Sequence, residues 1–547
     1  MTQTQKRWTL TAVILGSAIV FLDSTVVNLA LPRIGQELQS DRIGVLEGQS
    51  YIYNAYLLTL SALLILAGAL NDYFGRRRMF GVGLIGFGIT SLLCGVAPSL
   101  ESLILFRILQ GATGALLVPG SLSIITASFE GEEQGRAFGI WAGASAATTI
   151  LGPPLGGFLV NSISWRAAFL INLPLVALAY YATVRHVAES RDEGATGRFD
   201  WVGAAVIALA VGGLSFGAIR GQQQQWQDAA AFMALALGAA AVVAFPILMA
   251  RSSHPLVPLE LFRSRNFSVT NVSTLLIYGA LYVNLYFTGI FVIGTLGYNE
   301  QAAGIVAIPA TLLLALFSTR FGKLAARYGP RLFMTVGPVI MALGLLWLVR
   351  VPPDSEPWRF GFDAGERILP PAAYLIDLFP AFVVFGVGLV IMVAPLTTAL
   401  MTSVPRDKSG VGSAINNAIS RVGPQLAGAV IFVAIAASFY GGLAKRAPNL
   451  DTSSQEVRDN ISPLNRPLEP VSPPVLRAVR ESSTDSFHLA MLISSALLLA
   501  GAAVNGMGIR NPERAGRAAE SVPEAAASPP SPAPAPAGAR PGHDQPP

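Results

Sequence analysis

The amino-acid sequence predicts an all-α protein whose helices cross a lipid bilayer many times. Of its 547 residues, 52% are hydrophobic and only 13% are charged, whereas soluble domains carry about 25% charged residues. The apolar residues are concentrated in runs of about 20, the length that a helix needs to cross the hydrocarbon core. A polytopic helical membrane protein is therefore the fold class that we expect.

Fourteen such runs occur along the chain. They begin near residues 9, 51, 79, 100, 136, 166, 200, 229, 268, 301, 331, 374, 409 and 487. The first run is too long for a cleavable signal peptide and no small-residue cleavage site follows it, so we expect it to remain as a span. The two runs between residues 200 and 250 are the weakest, because Gly and Ala dominate them.

The distribution of basic residues predicts the orientation. The formal net charge is +5, but the basic residues lie in short loops, which argues against nucleic-acid binding. Clusters at 76–78, 185–198, 320–331 and 406–408 fall on the side of the N-terminus, whereas the first five loops of the other side hold only Arg33, Arg42, Arg166 and Arg220. The positive-inside rule then places both termini in the cytoplasm and the protein in the cell (inner) membrane.

An internal repeat predicts two similar halves. GALNDYFGRRRMF at 68–80 aligns with GKLAARYGPRLFM at 322–334, which matches Gly68 to Gly322 and Gly75 to Gly329. We expect an N-terminal six-helix half (1–190), an extra transmembrane hairpin (191–260) and a C-terminal six-helix half (261–510) with long outer loops at 351–372 and 438–486. The Pro/Ala-rich segment 511–547 is expected to be a disordered cytoplasmic tail.

Five motifs in order resemble one family. They are LDSTVVNLALP in the first span, GALNDYFGRRR after the second, RILQGATGALLVPG in the fourth, ILGPPLGG in the fifth, and WRAAFLINLP after it. Together they resemble the fourteen-span drug/proton antiporters of the major facilitator superfamily, over roughly residues 8 to 508. The resemblance implies the major facilitator fold, two six-helix halves plus two extra helices.

Two charges lie inside predicted spans of the first half. Asp23 interrupts an apolar run, and a carboxylate there costs about 2.5 to 3.5 kcal/mol on insertion scales, so by default it marks an ion or substrate path. Arg107 is the second charge, and it needs an anion or carbonyl groups; Asp23 is its nearest candidate partner. We expect this pair to couple proton entry to transport. The alternatives are a structural, hydrogen-bonded Asp23 and an Arg107 that only anchors a helix end.

Two glycine-rich motifs are candidates for gating. In the first, Gly68 and Gly75 allow a tight turn, and Asp72 can accept hydrogen bonds from a helix N-terminus or pair with an arginine across the halves. The family uses this loop as a cytoplasmic gate, which extends the expected site to Arg76 and Arg77. The antiporter motif in the fifth span is a further gating candidate, which comprises Gly152, Pro153, Pro154, Gly156 and Gly157. The resemblance makes it the main reason to expect export, since the motif is common in exporters and usually missing from importers. The alternative is a helix kink with no directional meaning.

Aromatic and amide side chains are candidates for substrate binding. Tyr278, Tyr282 and Tyr286 recur every four residues in the ninth span, and Phe287 is adjacent. Such a wall suits flat or cationic organic molecules through stacking and cation–π contacts, although aromatic stripes more often serve packing. Asn28 and Gln110 are further candidates, and Asn28 does not share the helix face of Asp23.

The sequence thus predicts a proton-coupled efflux transporter that exports amphipathic drugs or other small organic compounds by alternating access. We expect no enzymatic activity and no cofactor: the chain has no P-loop lysine motif, and its four histidines are far apart. The expected partners are a small-molecule substrate, protons and the bilayer, with one chain as the functional monomer; whether a periplasmic adaptor joins it stays open. The alternatives are a dedicated exporter of one metabolite, lipid or siderophore, and a sensor or scaffold that no longer transports.

Overall fold

The fold is a bundle of long α-helices. It was obtained as a computed structural model that describes residues 2–38, 45–192, 199–223, 226–361, 365–467 and 469–511. The described residues contain no β-strand. One compact unit covers Met1–Arg510. The predicted disordered tail lies outside the described residues from position 512 onward.

The first six predicted spans correspond to helices that follow one another with short connections. They are α1 (Gln3–Glu37), α2 (Val45–Phe74), α3 (Arg76–Gly95), the pair α4 (Leu100–Gly114) and α5 (Leu117–Ser128), α6 (Gly131–Ser162), and the pair α7 (Ala167–Leu170) and α8 (Asn172–His186). Helix starts follow local capping chemistry. Ser99, for example, precedes α4 and its side chain accepts a hydrogen bond from the backbone N–H of Ser102, as N-cap serines do.

The remaining helices comprise the extra hairpin and the last six spans. The hairpin is α9 (Trp201–Gln223) and α10 (Ala229–Arg251). It is followed by α11 (Arg265–Phe291), α12 (Glu300–Val306), α13 (Ile308–Tyr328), α14 (Arg331–Leu348), α15 (Phe379–Thr402), α16 (Ser409–Arg446), α17 (Gln455–Asn460) and α18 (Pro473–Gly508). Short π-helical turns at Val292–Leu296 and Tyr374–Leu378 adjoin α11 and α15.

Thirteen helical segments in the described part of the chain are long and apolar enough to cross a membrane. They coincide with predicted spans and include both helices of the Gly- and Ala-rich hairpin. The remaining predicted span corresponds to α6, which has 32 residues. Glycine, serine, threonine and proline make up much of α6, and these residues contribute little apolar surface.

Helix packing separates an earlier and a later group. Helix α1 packs against α5, α6 and α8, and α2 packs against α4; in the later group α14 packs against α15 and α18, and α11 against α16 and α18. The groups meet most extensively along two helix pairs, α2 with α16 and α6 with α13, and further contacts join α5 to α16 and α6 to α15. Helix α9 of the hairpin packs on both α2 and α16, so the hairpin lies beside one of these two junctions.

The bundle has two faces that are defined by their loops. The N-terminal face holds the start of α1 and the end of α18; an ion pair of Lys6 with Glu133 ties α1 to the start of α6 there, and Arg265 donates to the carbonyl of Gly508 at 2.9 Å. The opposite long-loop face holds the segments 349–373 and 447–472. At this face Trp165 donates to a carboxylate oxygen of Glu37 at 2.8 Å and lowers the pKa of Glu37.

The second long loop is shorter than the sequence predicted. We expected a loop over 438–486, but α16 continues to Arg446 and α18 begins at Pro473. The extended helix ends are joined by ion pairs of Arg446 with Glu481 at 3.1 Å and with Asp485 at 2.6 Å. Apolar contacts that include the buried Phe439 add to these pairs. The length of an apolar run predicts only the part of a helix within the bilayer. It does not reveal that α16 and α18 extend beyond the bilayer, because polar residues form those extensions.

Candidate functional site

Asp23 lies at the centre of a buried polar cluster in the earlier group of helices. Its side chain is completely buried, and so is that of Arg107. An Nη1 atom of Arg107 donates to Asp23 Oδ2 at 2.5 Å. The two charges therefore neutralise each other away from water, and the contact that the sequence predicted between them is present. Their predicted role in coupling remains a prediction.

Two side-chain amides complete the coordination of the carboxylate. Gln110 Nε2 donates to Asp23 Oδ1 at 3.0 Å, and Asn172 Nδ2 donates to the same oxygen at 3.1 Å. Both amides also donate to the hydroxyl of Ser91, at 2.9 and 3.3 Å. Helices α1, α3, α4 and α8 thus converge on one carboxylate. We call Asp23, Ser91, Arg107, Gln110 and Asn172 the carboxylate cluster.

Arg107 has partners on α2 as well. Its Nε atom donates to the carbonyl of Ile52 at 3.2 Å, and its guanidinium carbon lies 4.1 Å from the ring centroid of Tyr56. Among the described residues, two buried atoms of the cluster have no hydrogen-bond partner: Arg107 Nη2 and Asn172 Oδ1. Buried polar atoms without a partner cost free energy. The cluster is therefore not fully satisfied in this conformation.

Sequence reasoning missed Ser91 and Asn172 as members of the cluster. Asn172 belongs to the WRAAFLINLP motif, where it is the polar residue within the apolar run that follows Arg166, and that is the signal that identifies it. Ser91 gives no such signal, because serine is common in membrane helices and bonds readily to its own backbone.

Asp72 joins the two groups of helices at the N-terminal face. Its Oδ1 accepts from the backbone N–H of Gly410 at 2.9 Å, and its Oδ2 accepts from Val411 at 2.8 Å. These groups open α16, whose own N-cap residue Lys408 makes no side-chain cap. A carboxylate at a helix N-terminus is stabilised by the unpaired N–H groups and the helix dipole. Asp72 of α2 therefore caps a helix of the other group.

Arg76 completes this contact, which we call the latch (Asp72, Arg76 and residues 406–411). Its Nη2 atom donates to Asp72 Oδ1 at 2.9 Å and to the carbonyl of Asp407 at 2.9 Å. Asp72 and Arg76 are 4% and 2% exposed. At the exposed edge of the latch, the side chain of Arg406 donates to Glu130 at 2.7 Å and lowers the pKa of that exposed carboxyl.

Glycines bring the two groups into backbone contact at the same face. A Cβ atom on Gly68 would collide with the carbonyl oxygen of Gly410, and one on Gly410 would lie 2.5 Å from the carbonyl oxygen of Gly68. At the second junction, a Cβ on Gly135 of α6 would lie 2.7 Å from the carbonyl oxygen of Gly322 on α13. Small residues permit this approach. The N-terminal face is closed in this conformation.

Gly75 turns the chain from α2 into α3. Its φ is +104°, and the φ of Gly329, its counterpart in the repeat, is +88°. Both values favour glycine, so the repeat has a structural basis. Arg77, also expected at the gate, donates to the carbonyl of Val184 at 2.7 Å. It therefore binds the end of α8 within the earlier group and does not reach the later one.

The antiporter motif lies on α6 where that helix packs on α1. A Cβ on Gly152 would collide with Thr25 of α1, whereas a Cβ on Gly157 would meet nothing within 4 Å. Gly156 is buried. The side chains of Pro153 and Pro154 lie outside the described residues. The contact of Gly152 is thus within the earlier group, on the helix that carries Asp23.

A cavity of about 440 Å³ lies between α2, α9, α11 and α16. Its lining contains Tyr53 and Asn54 of α2 and Tyr282 and Tyr286 of α11. The two α11 residues belong to the tyrosine stripe that the sequence predicted to bind substrate. The remaining lining residues are Ile219, Val283, Pro424, Gln425, Gly428 and Phe432. Tyr278 precedes Tyr282 by one turn, and their rings are 6.3 Å apart. The cavity lies beside the junction of α2 with α16.

The other candidates for substrate contact lie elsewhere. Gln110 is fully buried in the carboxylate cluster, and Phe287 is 2% exposed and packs in the apolar core of the later group. Neither lines the cavity in this conformation. Phe287 turns away because it is one residue beyond Tyr286, about 100° around the helix. Asn28 is exposed, which agrees with its expected separation from the face of Asp23.

Comparison with known proteins gives a consistent result. Residues 13–428 match the family model of the Major Facilitator Superfamily. The chain is 33% identical to the multidrug resistance protein Stp of Mycobacterium tuberculosis, over 78% of this chain and 76% of that protein. It is 32% identical to the tetracenomycin C resistance and export protein of Streptomyces glaucescens, over 78% and 76% of the two chains.

A third relative and two solved structures extend the comparison. The puromycin resistance protein pur8 of Streptomyces alboniger is 31% identical over 78% of this chain and 80% of its own. A crystal structure of XylE matches with a TM-score of 0.57 at 15% identity, covering 93% of this chain and 97% of that one. The human transporter MFSD10 matches with a TM-score of 0.55 at 13% identity, covering 91% and 100%. These two structures share the fold. The chain belongs to the major facilitator superfamily of membrane transporters.

Proposed function

We propose that this transporter is a proton-coupled antiporter that exports amphipathic drugs or other small organic compounds across the cytoplasmic membrane. The observation that carries the proposal is the completely buried Asp23, held by Arg107, Gln110 and Asn172. Export is supported by the relatives, which are named for resistance to multiple drugs, tetracenomycin C and puromycin. The positive-inside rule makes the N-terminal face cytoplasmic, so the latch closes the cytoplasmic side.

Protonation of Asp23 is the proposed switch. A ligand biases two conformations only through a difference in its interaction with them. A proton on Asp23 removes the charge attraction to Arg107 and leaves that guanidinium buried without its anion, which is strongly destabilising. The cluster then favours a conformation in which Arg107 finds another partner. Arg107 Nη2, which has no partner among the described residues, marks where such an exchange begins.

Helix α2 connects the three parts of the mechanism. It carries Ile52, which binds Arg107, then Tyr53 at the cavity, and then Asp72 in the latch. From residue 52 to residue 72 the distance along a helix is about 30 Å. A rigid helix that contacts the cluster at one end and the latch at the other carries coupling between them. We propose that the two six-helix halves move relative to each other about the junction of α2 with α16. We also propose that a single chain is sufficient for transport.

The test is transport by the purified chain in liposomes. The dye panel contains cationic and anionic fluorescent amphipathic compounds. We expect an imposed proton gradient to drive their accumulation in the liposomes, and we expect a protonophore to abolish that accumulation. A dedicated exporter would move none of the panel but would acidify or alkalinise the lumen when its own substrate is supplied. A sensor or scaffold would move neither dyes nor protons, and that result contradicts the proposal.

A further inference from the structure

Arg421 is a charge within α16 that the mechanism above does not use. It lies in the middle of a helix that spans the bundle, and its side chain is partly buried. Among the described residues, Arg421 has no hydrogen-bond or ion-pair partner. Ionisable residues within membrane helices are costly and pair with one another or mark a substrate path. Arg107 is paired with Asp23, and Arg421 is not.

The position of Arg421 connects it to the cavity. Residues 425, 428 and 432 of the cavity wall follow it at i+4, i+7 and i+11, so all of them share one face of α16. Arg421 does not itself line the cavity. It lies one helical turn from the lining residue Gln425, on the side towards the closed N-terminal end of the bundle. Arg421 lies within electrostatic range of Tyr53 and Tyr56 across the junction with α2.

The cavity wall offers hydrogen-bond donors, and the positive charge of Arg421 lies one helical turn from it. None of the described residues that line it is acidic. The hydroxyl groups of Tyr53, Tyr282 and Tyr286 have no hydrogen-bond partner in the described part of the chain, and each is able to donate. Asp23 is completely buried, is paired with Arg107 and does not line the cavity. A cationic substrate therefore meets an unpaired guanidinium and no counter-ion.

We propose that Arg421 is a substrate-binding residue that recognises an anionic group, so that this transporter exports amphipathic organic anions such as carboxylates and phenolates. The inference rests on the proposed export function. The aromatic wall holds the ring system of the substrate, and the guanidinium at the closed end takes the carboxylate or phenolate oxygen. Guanidinium groups bind such oxygens with charge-assisted, directional hydrogen bonds. The competing interpretation is a cationic substrate that the tyrosines hold through cation–π contacts.

Equilibrium binding to the purified chain tests this assignment without transport. Fluorescein and rhodamine 6G share a xanthene ring system, and they are anionic and cationic at neutral pH. We expect the wild-type protein to bind fluorescein more tightly by fluorescence anisotropy. Arg421→Gln should weaken fluorescein binding on the order of tenfold to a hundredfold and leave rhodamine 6G binding unchanged or tighter. The fluorescein affinity of Arg421→Lys should lie between the affinities of the wild-type protein and Arg421→Gln.

The matched control is Arg320→Gln, which removes an exposed arginine of α13 at the N-terminal face and should change neither affinity. Equal loss of both dyes in Arg421→Gln, tighter wild-type binding of rhodamine 6G, or no binding of fluorescein overturns the assignment. Transport is measured separately in liposomes. If fluorescein binds in an Arg421-dependent way but does not accumulate under a proton gradient, the anion site is supported and the proposed antiport is contradicted.

Discussion

Asp72 caps a helix that belongs to the opposite group of the bundle: its carboxylate accepts the backbone N–H of Gly410 at 2.9 Å. The residues are 338 positions apart in the chain. A helix terminus that depends on another helix for its cap is stable only while the two remain together. The closed N-terminal face and the folded start of α16 are therefore linked.

The first prediction concerns this cap. Asp72→Asn removes the negative charge and leaves Arg76 buried without its counter-ion, a loss of about 3 to 5 kcal/mol at a buried pair. We expect the conformation with the N-terminal face open to become more populated, with a lower transport rate and nearly unchanged substrate affinity. After Cys94 is replaced by serine, alkylation of a cysteine placed at Ser413, a completely buried residue of α16 at the same face, reports the opening.

Glu130→Gln is the control for the latch, since it breaks an exposed ion pair with Arg406 at the same face. Exposed pairs contribute about 0 to 1 kcal/mol, so transport should be almost unaffected. If Asp72→Asn and Glu130→Gln behave alike, or if Asp72→Asn loses binding and transport together, Asp72 has no gating role.

The glycine contact gives the second prediction. Gly68→Ala places a methyl group against the carbonyl oxygen of Gly410, and the backbones must separate. We expect slower transport and incomplete closure of the N-terminal face. Gly304→Ala adds the same methyl group on α12 with no atom within 4 Å and should transport normally. Equal activity of the two variants would show that close approach at Gly68 is not required.

The third prediction tests orientation. After Cys94, the one cysteine of the chain, is replaced by serine, Ser253→Cys and Ser453→Cys give two exposed single cysteines on opposite faces. An impermeant thiol reagent added to intact cells should label position 453 and leave position 253 unlabelled until the cells are opened. The reverse pattern would place both termini outside.

The fourth prediction concerns the amide of Asn172. It stabilises the ionised form of Asp23 through the hydrogen bond at 3.1 Å. A hydrogen bond to a charged group contributes about 1.5 to 3 kcal/mol. Asn172→Ala should therefore displace the pH profile of proton-driven dye accumulation, which is measured in liposomes.

The matched variant is Asn271→Ala, which removes a buried asparagine that bonds to Asn416 in the later group of helices. It lies outside the carboxylate cluster, so the pH profile of transport should keep its position even if the rate falls. A shift of the same size in both variants would mean that the profile reports stability and not the environment of Asp23.

Charged residues in apolar runs were the most informative part of the sequence. An intramembrane charge requires a partner, and few partners exist, so Asp23 and Arg107 could be paired from the sequence alone. For Asp72 the sequence left two alternatives, a helix N-terminus or an arginine across the halves; the structure shows the first, with Arg76 at the start of α3 as the paired arginine. The span positions followed from the length and apolarity of the runs, which is why both helices of the extra hairpin were predicted despite their small residues.

Other features depend on how each helix is rotated in the bundle. Phe287 and Tyr286 are neighbours in sequence, yet one packs in the core and the other lines the cavity. A membrane helix that is apolar on every face gives no periodic signal for this rotation. Gln110 was expected at the substrate and lies in the carboxylate cluster, because its position depends on the packing of α4 against α1 and α3.

The central claim is that the charge of Asp23 couples proton movement to export. The most direct measurement compares wild-type protein, Asp23→Asn and Asp23→Glu in liposomes, with equal amounts inserted and with dye binding verified beforehand. We predict that Asp23→Asn loses accumulation driven by a proton gradient but still exchanges dye down its own gradient, and that Asp23→Glu retains partial accumulation with a shifted pH dependence. Normal proton-driven accumulation by Asp23→Asn would contradict the account.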